Sequence, residues 1–523
     1  MPSPSTYNSL KEAIDSFERW LLSFPTDRSK YGVNVEADRT KSTDGVIEDS
    51  NDQNFQTADN LTRSTSTVDV PDNKNDLLSE DGLPENLKAI SVGNFEITPT
   101  DSEIRTTLLE LADRLKGNYP FHSSAYAGQM LKPPHDLAWA AQALTMLINP
   151  NNHALDGGPP TSEMEKEIIP KFGAMFGFKM PILGHLTSSG TIANLEALWV
   201  ARNEHPGKGI AFSENAHYTH ERMCGVLGIK SYRIPVLKDG NWDLKYLEHI
   251  ADKIGTLVVT MGTTGAGKVE PLHKILPVAR AHGLRIHLDA AYGGYFKLLE
   301  CAGVLDSEPW SATGEADSIV IDPHKHGLQP YGCGCVLFRD PGVGRYYKHD
   351  SPYTYFSSED LHLGEISLEC SRAGAAAAGL WATLRVFGLG EGGRMQRVMG
   401  ACRRAAVDFA RELVGGGRFA IVEEPELDIV LYFPVPDGDL VSLSGVSRVC
   451  EGVFREGMAR GAGGVFVSLI KIPARSVLAK YPQLKQDSDT VTVLRSVLMK
   501  PEHLGFVPEL VKRLNSVLKK VRS

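Results

Sequence analysis

Between about residues 160 and 340 the chain alternates helical stretches with short runs rich in β-branched residues. The runs of strand length are Ile182–Leu186, Gly209–Phe212, Thr256–Met261, Arg285–Asp289, Ser318–Ile321 and Cys333–Phe338. Because strand–helix alternation needs crossover connections, the pattern predicts an α/β fold with a large, mainly parallel sheet. A helical run over Ala373–Phe387 follows, and residues 400–523 are predicted as helix, strand, strand and helix, which is typical of a smaller α+β domain.

The N-terminal part of the chain differs in composition from the rest. Residues 7–24 carry apolar residues at helical spacing. Residues 26–95 are polar and almost free of aromatic side chains, so they bury too little apolar surface to offset their ordering entropy. We predict a disordered insertion there, with a regulatory binding segment as the alternative, and a further helix over about 100–116. The predicted domains are a helical segment (1–25), the insertion (26–95), a helical and irregular segment (96–155), the large α/β domain (156–390) and the small α+β domain (391–523).

Charge and cysteine usage limit the partners. The formal net charge of −9 argues against nucleic acid or an acidic membrane surface as a main partner. No apolar run is long enough to span a membrane, and the start lacks the pattern of a secretory signal. The seven cysteines are scattered and have no metal-ligand spacing, so no metal site is predicted. These features predict a reduced, soluble, cytoplasmic protein.

The run Ser318–Ile321 continues as Asp-Pro-His-Lys and so delivers His324 and Lys325 to the end of a buried strand. An ammonium group resists burial, but a desolvated lysine is how an enzyme obtains an amine able to form a Schiff base. A solvated loop lysine is the plain alternative for this motif alone. The rest of the chain favours the Schiff base, because it supplies in order the other parts of a pyridoxal 5'-phosphate (PLP) site.

A candidate phosphate site lies in Thr187-Ser-Ser-Gly-Thr-Ile-Ala-Asn194, which follows one β-rich run and leads into a helix. Hydroxyl side chains around a glycine at a helix N-terminus let backbone N–H groups approach an anion, and the helix dipole adds to the attraction. The alternative is an ordinary helix cap, for which four hydroxyls are more than required.

Candidate groups for the cofactor ring follow other runs. Asp289 ends an apolar run and is followed by small residues, Ala291 among them, that leave room for a flat ring. A buried carboxylate needs a cationic partner, and a protonated pyridine nitrogen would be one. His217 is placed to lie against a ring face, and Thr264 follows a β run at the strand end where α/β sheets hold ligands. A helix-capping aspartate and a core histidine are the alternatives.

Taken together, these motifs resemble the group II PLP-dependent amino acid decarboxylases, which have fold type I. The resemblance covers residues 115–400 well, the C-terminal part more loosely, and residues 26–95 not at all. Within the group the chain is most similar to the microbial tyrosine decarboxylases. The supporting stretches are Tyr126–Met130, Asp156–Glu165, Gly184–Asn203, Lys325–Tyr331 and Leu368–Ala375.

The resemblance implies a role for each matching residue. Lys325 would form the Schiff base with PLP, Asp289 would pair with the pyridine nitrogen, and His217 would stack on the ring as a catalytic residue. Thr264 would lie near the phenolic oxygen, and Ala291 beside the ring. The phosphate would be surrounded by Ser188, Ser189, Gly190 and His324.

The resemblance also implies a proton donor, substrate contacts and a partner. Tyr331 lies six residues after the Schiff-base lysine, at the place of the family's catalytic tyrosine. Ser496, in the terminal motif Val493–Pro501, and Gln129 would face the substrate. Enzymes of fold type I build their sites between two subunits, which implies a homodimer.

The leading hypothesis is decarboxylation of an aromatic L-amino acid, with tyrosine as first choice. Glutamate or aspartate would need a cation for the distal carboxylate, for which Arg372 and Lys348 are candidates. A carbon–carbon lyase acting on a phosphorylated amino alcohol would need a basic patch for the second phosphate. An inactive dimeric binding platform would have no use for Lys325, Asp289 and His217.

Overall fold

The computed structural model describes residues 8, 11, 12, 15, 16 and 19, and residues 99–523 except 154–156, 238, 349–366, 438–440 and 460. The described residues divide into two compact units, of which the smaller contains helix α1 (Asp101–Leu115) and the larger contains residues 116–523. Helix α1 lies where the sequence predicted a helix, and its Arg105 donates to Glu12 Oε2 at 2.7 Å. The predicted insertion (26–95) and most of the predicted helical segment (1–25) lie outside the described residues.

A seven-stranded sheet forms the centre of the larger unit. Its strands are β1 (Leu183–Thr187), β2 (Gly209–Ser213), β3 (Ser231–Ile234), β4 (Ile254–Thr260), β5 (Arg285–Asp289), β6 (Ser318–Ile321) and β7 (Gly334–Phe338). Their spatial order is β1-β7-β6-β5-β4-β2-β3, with the five strands from β6 to β3 parallel and with β7 antiparallel to both of its neighbours. The prediction of a mainly parallel sheet is confirmed. Strand β3 was missed because this edge strand, Ser-Tyr-Arg-Ile, is only partly buried and lacks an apolar run.

Two helices of the larger unit precede the large sheet, and further helices alternate with its strands as the sequence predicted. They are α2 (Asp136–Met146), α3 (Pro159–Phe176), α4 (Gly190–Glu204), α5 (Thr219–Leu227), α6 (Leu244–Ile250), α7 (Leu272–Ala281) and α8 (Glu308–Ser311). Short 3-10 segments span Ala251–Lys253, Gly294–Ala302, Ala312–Glu315, Pro341–Tyr346 and Gly461–Gly463. Helix α4 packs its small buried residues Ala193 and Ala197 in one apolar cluster with Val320 and Val336 of the sheet, which brings its N-terminus close to the strand ends.

The C-terminal part has its own sheet. The helices α9 (Gly374–Phe387) and α10 (Arg394–Gly415) precede β8 (Phe419–Ile421), β9 (Ile429–Pro434), α11 (Leu443–Ala459), β10 (Ser468–Pro473), α12 (Ala474–Leu478), β11 (Thr490–Val497) and α13 (His503–Arg522). The four strands are antiparallel in the order β10-β11-β9-β8. The α+β class is as predicted, but the sequence prediction was two strands short, because β8 has only three residues and β10 is half-exposed. Among the described helices, none is long and apolar enough to cross a membrane.

The parallel pairing of β4, β5 and β6 positions three polar residues at one edge of the large sheet. Thr260, the last residue of β4, pairs in register with Asp289, the last residue of β5. Asp322 directly follows β6, whose Val320 pairs with Asp289. Carboxyl ends of parallel strands are where α/β sheets hold ligands, so this edge is where the site is expected.

Candidate active site

A cavity of about 200 Å³ opens at the carboxyl ends of β4, β5 and β6. Residues from five separate stretches of sequence meet there, because the crossover connections bring the strand ends to one edge of the sheet. The site residues predicted from the sequence that line the cavity are Ser189, Gly190, His217, Thr264, Asp289, Ala291, His324 and Lys325. The structure therefore brings together the motifs that were noted separately along the chain.

Lys325 reaches the cavity from the turn after β6. Its Nζ lies 2.9 Å from Asp322 Oδ2, and its side chain is 24% exposed whereas that of Asp322 is 2% exposed. The other oxygen of this carboxylate, Oδ1, is buried and has no hydrogen-bond partner within the described part of the chain. Gly190 closes this side of the cavity, because a Cβ at its position would overlap the Asp322 carboxylate. The lysine amine is thus held by one carboxylate and still faces open space.

Asp289, the last residue of β5, also lines the cavity and has a fixed orientation. His220 Nε2 approaches its Oδ2 at 2.8 Å, and the Ala291 backbone N–H donates to its Oδ1 at 3.2 Å. Burial pushes the pKa of Asp289 upward, but the hydrogen bond and charge of His220, together with the charge of Lys325, outweigh it and hold the pKa below its usual range. The carboxylate is therefore ionised and suited to a cationic ring nitrogen.

Two histidines stand beside this pair with neutral rings. His217 Nδ1 accepts from the Thr219 backbone N–H at 3.3 Å, and His324 Nδ1 donates to the Cys333 carbonyl oxygen at 2.7 Å. Burial lowers the pKa of His217, and burial likewise lowers the pKa of His324. A neutral imidazole can lie flat against an aromatic ring without bringing a second charge into the cavity.

The N-terminus of α4 is capped in part by its own serine. Ser189 Oγ accepts from the Ile192 backbone N–H at 3.3 Å, while Gly190 is buried at the cavity wall. Ser188 is exposed and does not line the cavity, and its backbone N–H donates to Glu369 Oε2 at 2.7 Å. The donor that was expected to reach an anion at Ser188 is thus bonded to a side-chain carboxylate.

Three other predicted residues also lie outside the cavity lining. Tyr331 is 56% exposed, and its hydroxyl donates to the Met130 carbonyl oxygen at 3.0 Å, while its ring packs 4.9 Å from that of His324. Gln129 is exposed, and Ser496 is fully buried with its Oγ 3.0 Å from the hydroxyl of Tyr432. Their predicted roles toward the proton and the substrate remain predictions.

Several lining residues were given no individual role from the sequence, although the first two lie within the predicted phosphate motif: Thr191, Asn194, Thr219, Thr260, Gly262, Tyr292 and Asp322. Asn194 donates to the Gly190 carbonyl oxygen at 2.8 Å and accepts from His287 Nε2 at 2.8 Å, which fixes the α4 N-terminus to β5. Thr260 Oγ1 is buried and has no partner in the described part of the chain. The signal for Asp322 was present, since it follows one strand as Asp289 ends the neighbouring one.

The donor set fits PLP. The amine of Lys325 can form a Schiff base, the ionised Asp289 can pair with the protonated ring nitrogen, and the α4 N-terminus can meet a phosphate. The unpartnered Thr260 Oγ1 and Asp322 Oδ1 are the buried polar atoms that a polar ligand in the cavity would satisfy.

Comparison with known proteins agrees with this geometry. Residues 133–433 match the family model of the pyridoxal-dependent decarboxylase conserved domain. The chain belongs to this family. Its cofactor is PLP, and its reaction is the decarboxylation of an amino acid. The sequence-based identification of a group II decarboxylase is thereby confirmed.

Sequence comparison with individual proteins indicates the same family. The chain is 29% identical over 493 residues to the L-tyrosine decarboxylase of Enterococcus faecium, covering 72% of this chain and 80% of that protein. It is 30% identical over 321 residues to the "Probable L-tyrosine/L-aspartate decarboxylase" of Methanothermobacter thermautotrophicus, covering 60% and 84%. The solved structure of Oryza sativa TDC with PLP and tryptamine superposes with a TM-score of 0.68 at 17% identity, covering 83% of this chain and 92% of that one. This last likeness confirms the fold.

Proposed function

We propose that this decarboxylase acts on an aromatic L-amino acid, with L-tyrosine as the first candidate, and releases the amine and CO₂. We infer the substrate class from the charged residues that line the cavity. Among the described residues that line it, Lys325 is the one lysine or arginine, and its Nζ is already opposite Asp322. A substrate with a second carboxylate needs a further cation, whereas an aromatic side chain does not.

Two residues were considered as partners for the second carboxylate of an acidic substrate, and neither supports such a substrate. Arg372 is buried, and its guanidinium is bonded to Glu165 Oε1 at 2.5 Å, to the Leu186 carbonyl at 2.8 Å and to the Asn152 carbonyl at 3.0 Å. Lys348 is exposed and does not line the cavity. Aspartate stays the second candidate, because the name of the Methanothermobacter relative includes it.

Each residue in the cavity has its own proposed role in binding the cofactor. When bound, PLP accepts the electrons that the departing carboxylate leaves behind. In this proposal Lys325 binds it covalently, Asp289 holds its ring nitrogen protonated, and His217 covers one ring face. Thr264 would lie near the phenolic oxygen and Ala291 beside the ring, while Ser189, Gly190 and His324 would hold the phosphate.

Tyr331 supplies the proton in the same proposal. Partial desolvation raises the pKa of Tyr331, so the phenol keeps its proton until it meets a stronger base. Its hydroxyl now donates to Met130 O, and an exposed side chain can leave that bond at little cost. The proton goes to the substrate α-carbon after CO₂ has left, which gives the amine.

The test is a substrate panel with two products measured. The protein with PLP is offered tyrosine, DOPA, phenylalanine, tryptophan, glutamate and aspartate separately, and both CO₂ and amine are quantified. The proposal expects tyramine and CO₂ from tyrosine in equal amounts. CO₂ from aspartate or glutamate alone would keep the reaction and overturn the aromatic substrate.

A homodimer in the cytoplasm is the second part of the proposal. Large apolar side chains are exposed together on α2 and just after it: Trp139, Leu144, Met146, Leu147 and Ile148. Ile148 alone is 82% exposed, and clustered apolar surface of this kind marks an interface. The seven cysteines are free thiols, which suits a reducing compartment.

Light scattering after size exclusion tests the dimer. Two chains of 57.1 kDa are expected to elute together, and Ile148→Lys should shift the mass to one chain. Val304→Lys, a change at another exposed apolar residue, is the matched control and should stay dimeric. A wild-type protein with the mass of one chain would refute the dimer.

A further inference from the structure

Asp428 is a fully buried carboxylate directly before β9, in the C-terminal part of the chain. Both of its side-chain oxygens are bound by residues of the large sheet domain. Tyr292 donates its hydroxyl hydrogen to Oδ1, and His326 Nε2 lies 2.8 Å from Oδ2. Burying a carboxyl group is costly unless its oxygens are hydrogen-bonded, and here both bonds come from the neighbouring domain.

The two partners of Asp428 belong to the two loops that carry the cofactor-binding residues. Tyr292 lies three residues after Asp289 and itself lines the cavity, and His326 directly follows Lys325. The loops are also joined to each other, since His326 Nδ1 lies 3.1 Å from the Tyr292 carbonyl oxygen. Asp428 therefore closes a ring of hydrogen bonds behind the cavity wall.

The chemistry of the atoms fixes where the protons are. A carbonyl oxygen only accepts, so His326 Nδ1 carries a proton and donates it to Tyr292 O. The second ring nitrogen of His326 lies 2.8 Å from Asp428 Oδ2, so a further hydrogen bond joins these two side chains. Burial and the neighbouring Asp428 raise the pKa of Tyr292 well above its usual value, so its hydroxyl always donates. These hydrogen bonds fix Asp428, Tyr292 and His326 in one arrangement relative to one another, which makes the ring of hydrogen bonds rigid.

Asp428 is in turn anchored on its own side. The Leu498 backbone N–H, just after β11, donates to the Asp428 carbonyl oxygen at 2.8 Å. The carboxylate is thus fixed to the antiparallel sheet at its backbone and to the cavity loops at its side chain.

We infer that Asp428 is a positioning residue which, through Tyr292 and His326, sets the separation between Lys325 and Asp289. This rests on the proposed roles of those two residues at opposite ends of the PLP ring. A cofactor held at both ends requires that separation to be constant, and misplacement by about 1 Å costs roughly 100-fold in rate. The C-terminal domain thereby takes part in binding PLP without touching it.

The test uses Asp428→Asn and Tyr292→Phe, each with a matched control. Tyr295→Phe removes a buried hydroxyl that has no hydrogen-bond partner in the described part of the chain, three residues after Tyr292. Asp437→Asn removes an exposed carboxylate that pairs with Arg522. The dissociation constant of PLP, the circular dichroism of bound PLP, kcat and KM are measured for each protein.

Asp428→Asn and Tyr292→Phe should each weaken PLP binding by about tenfold or more, alter the dichroism of the bound cofactor and lower kcat by roughly 100-fold with a small change in KM. The double variant should bind PLP no more weakly and turn over no more slowly than Asp428→Asn, because both substitutions break the same ring of hydrogen bonds. The controls should match the wild type. If Asp428→Asn does not fold, Tyr292→Phe still decides, since it loses only an oxygen atom.

Wild-type affinity and dichroism in a folded Tyr292→Phe would overturn the inference and leave the proposed function intact. A wild-type protein that binds no PLP would overturn both.

Discussion

His220 Nε2 lies 2.8 Å from Asp289 Oδ2, and the imidazole is completely buried. Because an ionised carboxylate only accepts, Nε2 carries the proton and the aspartate is held in one orientation. The nearby Ala291 N–H fixes the other oxygen. In this arrangement the carboxylate stays charged in a buried place, which is what a protonated pyridine nitrogen requires of its partner.

His220→Phe should weaken the binding of PLP, because it removes the hydrogen bond that His220 donates to Asp289. Without the donor, burial raises the pKa of Asp289, so the affinity for PLP should fall and should fall further as the pH is lowered. Loss of a hydrogen bond to a charged group costs about 1.5–3 kcal/mol, which corresponds to roughly 10- to 100-fold in the dissociation constant. Titration of the apoprotein with PLP at several pH values measures this.

His220→Gln keeps a donor and should recover part of the affinity, while the exposed His249→Gln should behave as the wild type. An affinity in His220→Phe equal to that of the wild type would show that Asp289 does not depend on this histidine.

Lys325→Ala should abolish both turnover and covalent attachment of the cofactor. Borohydride reduction of the wild type with PLP should leave one phosphopyridoxyl group, the cofactor less one oxygen atom, on the peptide that contains Lys325, and mass spectrometry locates it. Lys297, a lysine outside the cavity, should carry none, and Lys297→Ala should be labelled like the wild type. Labelling at a different lysine, or turnover that survives in Lys325→Ala, would remove Lys325 from its proposed role.

Tyr331→Phe should bind PLP normally and lose amine formation, because the ring remains and the proton donor does not. A general acid contributes about 100- to 10,000-fold, and the rate of tyramine release should fall by that order. The absorption spectrum of bound PLP checks that the cofactor site is unchanged. Release of tyramine at the wild-type rate would assign the proton to another group.

His287 should make stability depend on pH. Burial lowers the pKa of His287 to about 3 in the folded state, against about 6.5 in the unfolded chain. Between these values the unfolded state binds more protons, so this contribution to stability is complete above the unfolded pKa and is lost as the pH falls. The loss is about 1.4 kcal/mol for each pH unit.

Urea unfolding of the apoprotein at about pH 7 and about pH 5.5 measures the effect, and His287→Gln should lose less stability over that interval by roughly 1 kcal/mol. The exposed His282→Gln should follow the wild type. An equal loss in His287→Gln and in the wild type would contradict the assignment to His287.

The sequence predicted the elements whose apolar residues form continuous runs. Strands β5 and β6 were predicted with their observed bounds, because Ile286 and Leu288 of β5 and Ile319–Ile321 of β6 are buried apolar residues in parallel strands. Asp289 and Lys325 were identified as candidate site residues because they lie at or just after the ends of these runs.

What the sequence could not predict depends on residues that are far apart in the chain. The contact of Asp428 with Tyr292 joins residues separated by 136 positions, and the bond from Ser188 to Glu369 spans 181. No local pattern marks such pairs. The exposed place of Tyr331 and the buried place of Ser496 likewise depend on how loops pack, which periodicity does not determine.

The most direct measurement is the conversion of L-tyrosine labelled with ¹³C in its carboxyl group, carried out in D₂O with PLP. The protein should release labelled CO₂ and tyramine in equal amounts, with one deuterium at the α-carbon of each tyramine, and Lys325→Ala should release neither. Labelled CO₂ without the amine, or no product from tyrosine while another amino acid in the panel is decarboxylated, would contradict tyrosine decarboxylation by this site.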